Sequence, residues 1–359
     1  MHRRDFVRRA ALGSAAWAIF GPSGAFADEP RPRWRTFELI TRVDVAAATG
    51  AARVWVPVPL TIATAYQRPL GNTVHVDAGR ARVVTDQARG FGFVAAEWPE
   101  GRRAPLTVVS RVQTRDISVD LAQPRRAAPA TADPRFLAPS AYIPSDGIVR
   151  RTAESITRHG GSDVEKARAI YEWIVDNTFR DPAVRGCGTG DIRGMLETGD
   201  LGGKCADLNA LYVGLAHAAG LPARDCYGVR VAPSEQGYKS LGLSGDDAST
   251  AQHCRAEVFL RGFGWVPVDP ADVRKVILEE PPGHLDLDAD PVRRARARLF
   301  GSWEMNWVAY NFEHDVVLPG RAGKPLPFFM YPQGETAAGA LDSLDPDTFK
   351  YTITAKEIQ

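Results

Sequence analysis

A proline-rich segment between residues 122 and 146 is the feature that most constrains how this chain of 359 residues can fold. Its prolines are Pro124, Pro129, Pro134, Pro139 and Pro144. Because proline fixes φ and lacks an N–H group, prolines at this density are incompatible with a helix interior and indicate an extended connector. We therefore predict a domain boundary at residues 122–146.

The segment before this connector has the pattern of short β-strands. Residues 37–43, 52–58 and 106–112 partly alternate between apolar and polar side chains, and glycine and proline interrupt them at short spacing. Several short strands with frequent turns are typical of a small sandwich. We predict a β-sandwich domain over residues 28–121.

The segment after the connector combines helices with strands, so we predict an α+β core over residues 147–275. Apolar residues recur at helical spacing over residues 148–156 and 167–175, and again after Cys205. Three predicted strands follow, at residues 224–231, 255–260 and 264–269.

Residues 276–359 are predicted to form a C-terminal extension that contains β-structure and packs on the core. Its features are an arginine-rich helix at residues 292–299, an aromatic segment at 303–312 and an alternating strand at 348–354. We expect the aromatic side chains to pack in the core rather than to line a groove.

The first 27 residues are typical of an export signal. The pair Arg3-Arg4 is followed by Phe6, then by a mildly apolar stretch, and then by Ala25-Phe26-Ala27, an A-x-A cleavage site. The paired arginines favour the twin-arginine route, with an ordinary secretory signal as the alternative. We predict cleavage after Ala27 and a periplasmic location.

The charge balance excludes some classes of partner. The chain carries a net charge of +1, and loss of residues 1–27 removes four arginines and one aspartate, which leaves −2. Since neither sign dominates, nucleic acid and anionic membrane are not expected partners. No later segment approaches the roughly 20 apolar residues of a membrane helix, so no stable membrane span is expected. The oligomeric state is left open.

Cys205 is the strongest functional candidate, because it follows Gly202-Gly203-Lys204 at the start of a predicted helix. A cysteine attacks as its thiolate, and both a helix N-terminus and an imidazolium lower the pKa of a thiol. The Cys205 N–H is free at a helix start and could stabilise an oxyanion. The two glycines would let the backbone approach a substrate closely.

His253 and Asp269 are predicted to lie on the two strands of one hairpin. If the turn centres on Gly262, the two side chains lie diagonally on the same face of the hairpin, and if it centres on Arg261 they are direct cross-strand partners. A half-residue shift of the register would place them on opposite faces. An aspartate on one ring nitrogen would fix the tautomer and leave the other nitrogen for the thiol. We predict Cys205 as nucleophile, His253 as base and Asp269 as its orienter, with Asp272 as the alternative orienter.

The region from residue 148 to 272 resembles the transglutaminase-like branch of the papain-type cysteine enzymes. The resemblance is carried by four stretches: GGKCADLNAL at residues 202–211, AGLPAR at 219–224, HCRAEV at 253–258 and GWVPVDP at 264–270. It implies a Cys-His-Asp triad at Cys205, His253 and Asp269. It also implies a core in which the cysteine helix packs on an antiparallel sheet.

The chain departs from the animal transglutaminases at Ala206, where those enzymes have tryptophan. The carboxylates at residues 286–290 lack the glycine and the bidentate glutamate of a calcium loop, because Pro291 and Ala297 stand at those places. No cofactor is predicted, and hydrolysis and transamidation both stay open.

Three further cysteines allow two interpretations. Cys187 could form a disulfide with Cys254 or Cys226 in an oxidising compartment, or all three could be small buried side chains. The glycine-rich loop at residues 186–191 lacks the spacing of a dinucleotide site.

These patterns predict a periplasmic thiol-dependent amide hydrolase or acyltransferase. Its substrates would be peptides or peptidoglycan stem peptides. The alternative is a catalytically silent transglutaminase-like module that binds a peptide or a cell-wall partner.

Overall fold

A computed structural model describes residues 33–45, 50–100, 104–124, 129 and 131–359. The predicted export signal at residues 1–27 lies outside these ranges. The described residues form the expected α+β architecture, with helices packed on one antiparallel sheet, two further large sheets and three two-stranded sheets. None of the described helices has the length and apolar character needed to cross a membrane.

The described residues before the connector form only β-strands and the loops between them. Their strands are β1 (Arg35–Asp44), β2 (Ala52–Pro57), β3 (Gln67–Val76), β4 (Arg80–Asp86), β5 (Phe91–Trp98), β6 (Leu106–Thr114) and β7 (Ile117–Ser118). The described part of the connector includes one 3₁₀ helix at Pro134–Leu137, which begins with proline. The strands expected at 37–43, 52–58 and 106–112 are therefore confirmed as β1, β2 and β6.

The core region begins with helices and continues into a sheet. Its elements are α1 (Gly147–Thr157), α2 (Asp163–Asn177), β8 (Phe179–Arg180), α3 (Ile192–Thr198), β9 (Gly202–Gly203), α4 (Cys205–Ala218), β10 (Ala223–Arg230), β11 (Gln252–Leu260), β12 (Gly264–Val268) and α5 (Pro270–Glu279). Ser162 caps α2 in a reciprocal arrangement with Glu165, which defines where that helix starts.

The remaining elements lie in the C-terminal segment. They are α6 (Asp290–Arg298), β13 (Ser302–Trp303), β14 (Trp307–Asn311), β15 (His314–Val316), β16 (Leu326–Phe328), β17 (Gln333–Thr336), β18 (Gly339–Leu341) and β19 (Lys350–Ile358). The helix expected at 292–299 and the strand expected at 348–354 are confirmed as α6 and β19.

The cysteine helix α4 is the centre of the core. It packs on β10 and β11 of a sheet with the order β12-β11-β10-β14, in which all pairs are antiparallel. Nearly every residue of α4 is buried, as expected for a helix that is apolar on all sides. It ends ahead of Gly220, whose φ of +80° suits the position after a helix C-terminus.

The C-terminal segment does more than pack on the core, because it supplies strands to each of the three largest described sheets. β14 is an edge strand of the core sheet, β19 pairs with β1, and β17 pairs with β2. The two sheets of the sandwich are thus β19-β1-β6-β3 and β18-β17-β2-β5-β4. Sequence patterns indicate where strands form but not which distant strand pairs with each of them. The pairing of the C-terminal strands with β1, β2 and β10 could therefore not be predicted from the sequence.

The two sandwich sheets share one hydrophobic core. Val43 and Val108 from one sheet and Val54 and Val94 from the other belong to a single cluster of buried side chains. In the aromatic segment, Trp303 and Trp307 are completely buried, which confirms that they are core residues.

Candidate active site

Cys205 is the first residue of α4, and the start of that helix lies against the parallel pair β8 and β9. A Cβ atom at Gly202 would lie 2.4 Å from the ring of Phe179, and one at Gly203 would lie 2.7 Å from the Cβ of Asp207. The two glycines therefore permit close packing beneath the start of the helix. The close approach of a substrate to these glycines, which we expected from the sequence, stays a prediction.

The carboxylate of Asp207 connects the glycine-rich loop to the start of α4. Its Oδ1 accepts hydrogen bonds from the backbone N–H groups of Thr189 (2.9 Å) and Gly190 (2.8 Å). Its Oδ2 accepts one from the N–H of Lys204 (2.9 Å). Through Asp207, the loop is therefore hydrogen-bonded to the backbone just before the nucleophile and holds it in place. Sequence analysis missed Asp207, although an acidic residue in the first turn of a helix is a recognisable signal.

Three thiols meet at the start of α4. The neighbouring polar groups of Cys187, Cys254 and His253 hold the pKa of Cys205 well below its ordinary value, although burial opposes this. The pKa of Cys187 is raised, mainly by its hydrogen bond to Cys205, and that of Cys254 is raised mainly by burial. Cys205 is thus the thiol that ionises most readily of the three.

All four cysteines are free and buried. Cys226 lies on β10 and its sulfur is 3.6 Å from a carboxylate oxygen of Glu257, so it belongs to a separate environment. The disulfides considered for Cys187 are absent, and the alternative of small buried thiols describes the structure.

His253 lies on β11, and Asp269 follows β12 directly and caps α5. Leu260 pairs with Gly264, so the hairpin has the register in which the turn centres on residue 262. His253 Nε2 lies 2.8 Å from Asp269 Oδ2, with both side chains buried. An Nε2–H that donates to this carboxylate leaves Nδ1 for the sulfur of Cys205, whose pKa the imidazole helps to lower.

Asp269 is held by donors from two helices. Its Oδ1 accepts hydrogen bonds from the N–H of Asp272 in α5 (3.0 Å) and from Nδ2 of Asn209 in α4 (3.3 Å). Asn209 also donates to the carbonyl oxygen of Cys254 (2.9 Å) and so links the cysteine helix to the histidine strand. Asn209 lies four residues after Cys205, one turn along the helix on the same side, which is the signal that could have identified it.

Asp272, the alternative orienter, is also close to the imidazole. Its Oδ1 lies 3.3 Å from His253 Nε2, but Arg230 donates to both of its oxygens, at 2.6 and 2.8 Å. Burial would raise the pKa of Asp272, yet the charges of Arg230 and His253 hold it well below its ordinary value. Asp269 makes the shorter contact with His253, and Asp272 adds a second negative charge.

These carboxylates determine the charge of the imidazole. Burial alone would lower the pKa of His253, but the negative charges of Asp272 and Asp269 raise it to about 9, against a smaller opposing effect of Arg230. With the pKa of Cys205 lowered, the arrangement favours a thiolate–imidazolium pair.

The ligand-type atoms of His253, Asp269 and Asp272 lie within 4.8 Å of one another, a spacing that could also suit a metal ion. Each carboxylate is already engaged, Asp272 by Arg230 and Asp269 by the imidazole. Because these groups already supply positive charge and donors, the cluster fits a hydrogen-bonded relay better than a metal site.

Cys205 and His253 open onto a cavity of about 580 Å³. One wall is formed by the start of α4 and its neighbours, and another by residues 249–252 ahead of β11. Tyr331 and Tyr351 from the C-terminal segment also line it. A volume of this order accommodates a small ligand or a short peptide segment.

Comparisons with known proteins agree with this fold. Residues 150–270 match the family model described as transglutaminase-like superfamily. An uncharacterized protein of Haemophilus influenzae is 34% identical over 343 residues, which cover 90% of each chain. The chain belongs to the transglutaminase-like superfamily.

Two solved structures are similar to this transglutaminase-like chain. A candidate cysteine protease from Cytophaga hutchinsonii shares 17% identity over 90% of this chain and 98% of its own, with a TM-score of 0.51. The periplasmic domain of TgpA from Pseudomonas aeruginosa shares 14% identity over 65% of this chain and 90% of its own, with a TM-score of 0.32. The transglutaminase-like fold supports a thiol-dependent hydrolase or transferase in general.

Proposed function

We propose that this protein is a periplasmic thiol-dependent amide hydrolase or acyltransferase that acts on peptides or peptidoglycan stem peptides. The observation that carries the proposal is a Cys205 thiol of lowered pKa beside His253, whose other ring nitrogen is 2.8 Å from Asp269. This arrangement provides a nucleophile, a proton carrier and an orienting carboxylate at one wall of a cavity.

In the first half of the reaction, the Cys205 thiolate attacks the carbonyl carbon of a bound amide. The negative charge that develops on the carbonyl oxygen faces the start of α4, where the N–H of Cys205 has no intrahelical partner. The His253 imidazolium then gives its proton from Nδ1 to the departing amine. The C–N bond breaks, and the acyl group remains on sulfur as a thioester.

In the second half, the neutral imidazole accepts a proton from water or from an amine as that molecule attacks the thioester. The C–S bond breaks, Cys205 leaves as the thiolate, and the imidazolium is restored. Water gives hydrolysis and an amine gives transamidation. Asp269 and Asp272 support the imidazolium in the resting state between turnovers.

Two observations support a peptide substrate in the periplasm. The structural neighbour from Cytophaga hutchinsonii is described as a candidate cysteine protease, and the predicted signal at residues 1–27 would export the chain. The cavity is also large enough for a peptide segment on either side of the reacting carbonyl.

The resting ion pair can be tested by alkylation. We expect iodoacetamide at pH 7 to modify Cys205 at least ten times faster than the other three cysteines, because only its thiol has a lowered pKa. Peptide mass spectrometry over a time course would give the rate at each site, and Cys205→Ala is the control. Equally slow modification of all four sites would contradict the proposal.

The reaction itself can be tested with stem peptides and hydroxylamine as an amine acceptor. A hydroxamate would identify both the acyl donor and the acyl-enzyme, and a shortened peptide without hydroxamate would identify hydrolysis. Both products should disappear with Cys205→Ala. If the variant retains the cellular role of the protein, the function is binding rather than catalysis.

A further inference from the structure

The cavity beside Cys205 is lined by basic residues and by no acidic residue among those that the structure describes. Its lining includes four basic side chains that come from four different parts of the core: Arg180, Lys204, Arg230 and Lys275. No aspartate or glutamate is among the described residues that line it. The net charge of the whole chain is close to zero, so this cavity differs from the average surface.

Carboxylates behind the wall neutralise only part of this charge. Asp272 pairs with Arg230, which also donates to the carbonyl oxygen of Leu241 and is therefore fully engaged. Glu279 is shared between Arg180 and Lys275, the latter at 3.6 Å. One carboxylate thus faces two cations at this side of the cavity.

Lys204 is the least neutralised of the four. It directly precedes the nucleophile, and its side chain lines the cavity. Among the residues that the structure describes, its ammonium group forms no ion pair. Lys275 has most of its side chain buried, with 19% exposed, and burial together with the charge of Arg230 lowers its pKa. A buried cation next to other cations is stabilised by an anionic ligand.

We propose that the cavity selects an acyl donor with a free carboxylate close to the scissile carbonyl, and that Lys204 and Lys275 bind this carboxylate. The inference rests on the function proposed above and specifies its substrate class. A carboxylate between the two ammonium groups would supply the counter-charge that the wall lacks. A neutral or basic group at the same place would leave that charge uncompensated.

The charge preference can be measured without knowing the natural substrate, because two alkylating reagents of similar size differ in charge. Iodoacetate is an anion and iodoacetamide is neutral, and both react by displacement of iodide by the thiolate. The readout is the ratio of the iodoacetate rate to the iodoacetamide rate at Cys205, compared with the same ratio for 2-mercaptoethanol. We expect the ratio at Cys205 to be about ten times higher, and to fall as salt is added.

Variants distinguish the effect of the lysines on this ratio from the effect of the His253 imidazolium, which also attracts anions. Lys204→Gln and Lys275→Gln should each lower the ratio about three- to ten-fold, as expected for one partly solvated charge several ångströms from the reagent. Lys204→Arg keeps the charge and should keep the ratio. Lys324→Gln, which changes an exposed lysine outside the cavity, is the matched control.

The outcomes distinguish this inference from the proposed function. Fast iodoacetamide reaction with no preference for iodoacetate, or a ratio unchanged in both glutamine variants, would overturn the anion site and leave the activated thiol intact. Slow iodoacetamide reaction at Cys205 would overturn the proposed function. If one glutamine variant does not fold, the other decides: an unchanged ratio in it would refute the role of its lysine, and a three- to ten-fold fall would support it.

Discussion

Replacing Asp269 by asparagine tests the part of the site that sets the charge of the imidazole. The carboxylate of Asp269 is completely buried, and its Oδ2 accepts a hydrogen bond from His253 Nε2 at 2.8 Å. In Asp269→Asn, the amide oxygen can still accept the N–H of Asp272 and cap α5, because asparagine is as good a cap as aspartate. The amide NH₂ then faces the Nε2–H of His253. Because both groups are donors, the hydrogen bond between the two side chains is lost.

The magnitude follows from the hydrogen bond that is lost. A hydrogen bond to a charged group is worth about 1.5–3 kcal/mol. Each 1.36 kcal/mol changes the equilibrium between the ion pair and the neutral pair about tenfold. We therefore expect the pKa of Cys205, read from the pH dependence of its iodoacetamide rate, to rise by about one to two pH units in Asp269→Asn.

The assay is the time course of alkylation at Cys205 followed by peptide mass spectrometry, with circular dichroism to confirm folding. Asp191→Asn is the matched control, because Asp191 caps α3 through its Oδ1 and lies away from the cavity. Its rate should match that of the unmodified protein. An unchanged pH dependence of the rate in Asp269→Asn would refute the reasoning, and a shift in Asp272→Asn alone would transfer the orienting role to Asp272.

Two further predictions concern pH and the loop at the start of α4. The amidase or transferase rate should fall as pH rises through about 9. The pKa of His253 is raised to about 9, so its imidazolium, which donates a proton to the leaving amine, is lost above that pH. A rate that keeps rising above pH 10 would contradict this prediction. Gly188→Ala should destabilise the protein more than Gly220→Ala by at least about 1 kcal/mol in urea denaturation. Both glycines have positive φ, but only a Cβ at Gly188 would collide with Asp207, at 1.8 Å from Oδ2. Equal losses would show that the loop relaxes freely.

Much of the local structure could be predicted from the chain alone. The helix that starts at Cys205, the hairpin with its turn at Gly262 and the helix α6 follow from local patterns of apolar residues, glycine and proline, because those patterns depend on neighbours in the chain. Hairpin geometry permitted the nearness of His253 and Asp269 without requiring it, because the sequence left the register of the turn open.

Other features were decided by contacts between distant segments. The sequence does not show that β19 completes a sheet that starts at β1, or that β14 joins the core sheet. The role of the glycine-rich loop was missed for the same reason, because Thr189 and Asp207 meet only after α4 has packed. Long-range pairing depends on the energy of the whole packed structure, which no short window of sequence contains.

The sequence by itself determined the residue types and the local elements of the site: a thiol at a helix start, and an imidazole and a carboxylate on one hairpin. Only the tertiary structure decided the electrostatics. It brought Arg230 to Asp272, two further thiols to Cys205, and the side chain of Lys275 to the same cavity as Lys204. The charge around a side chain and its degree of burial depend on groups from many segments of the chain. These properties of the site are therefore established only when the chain has folded.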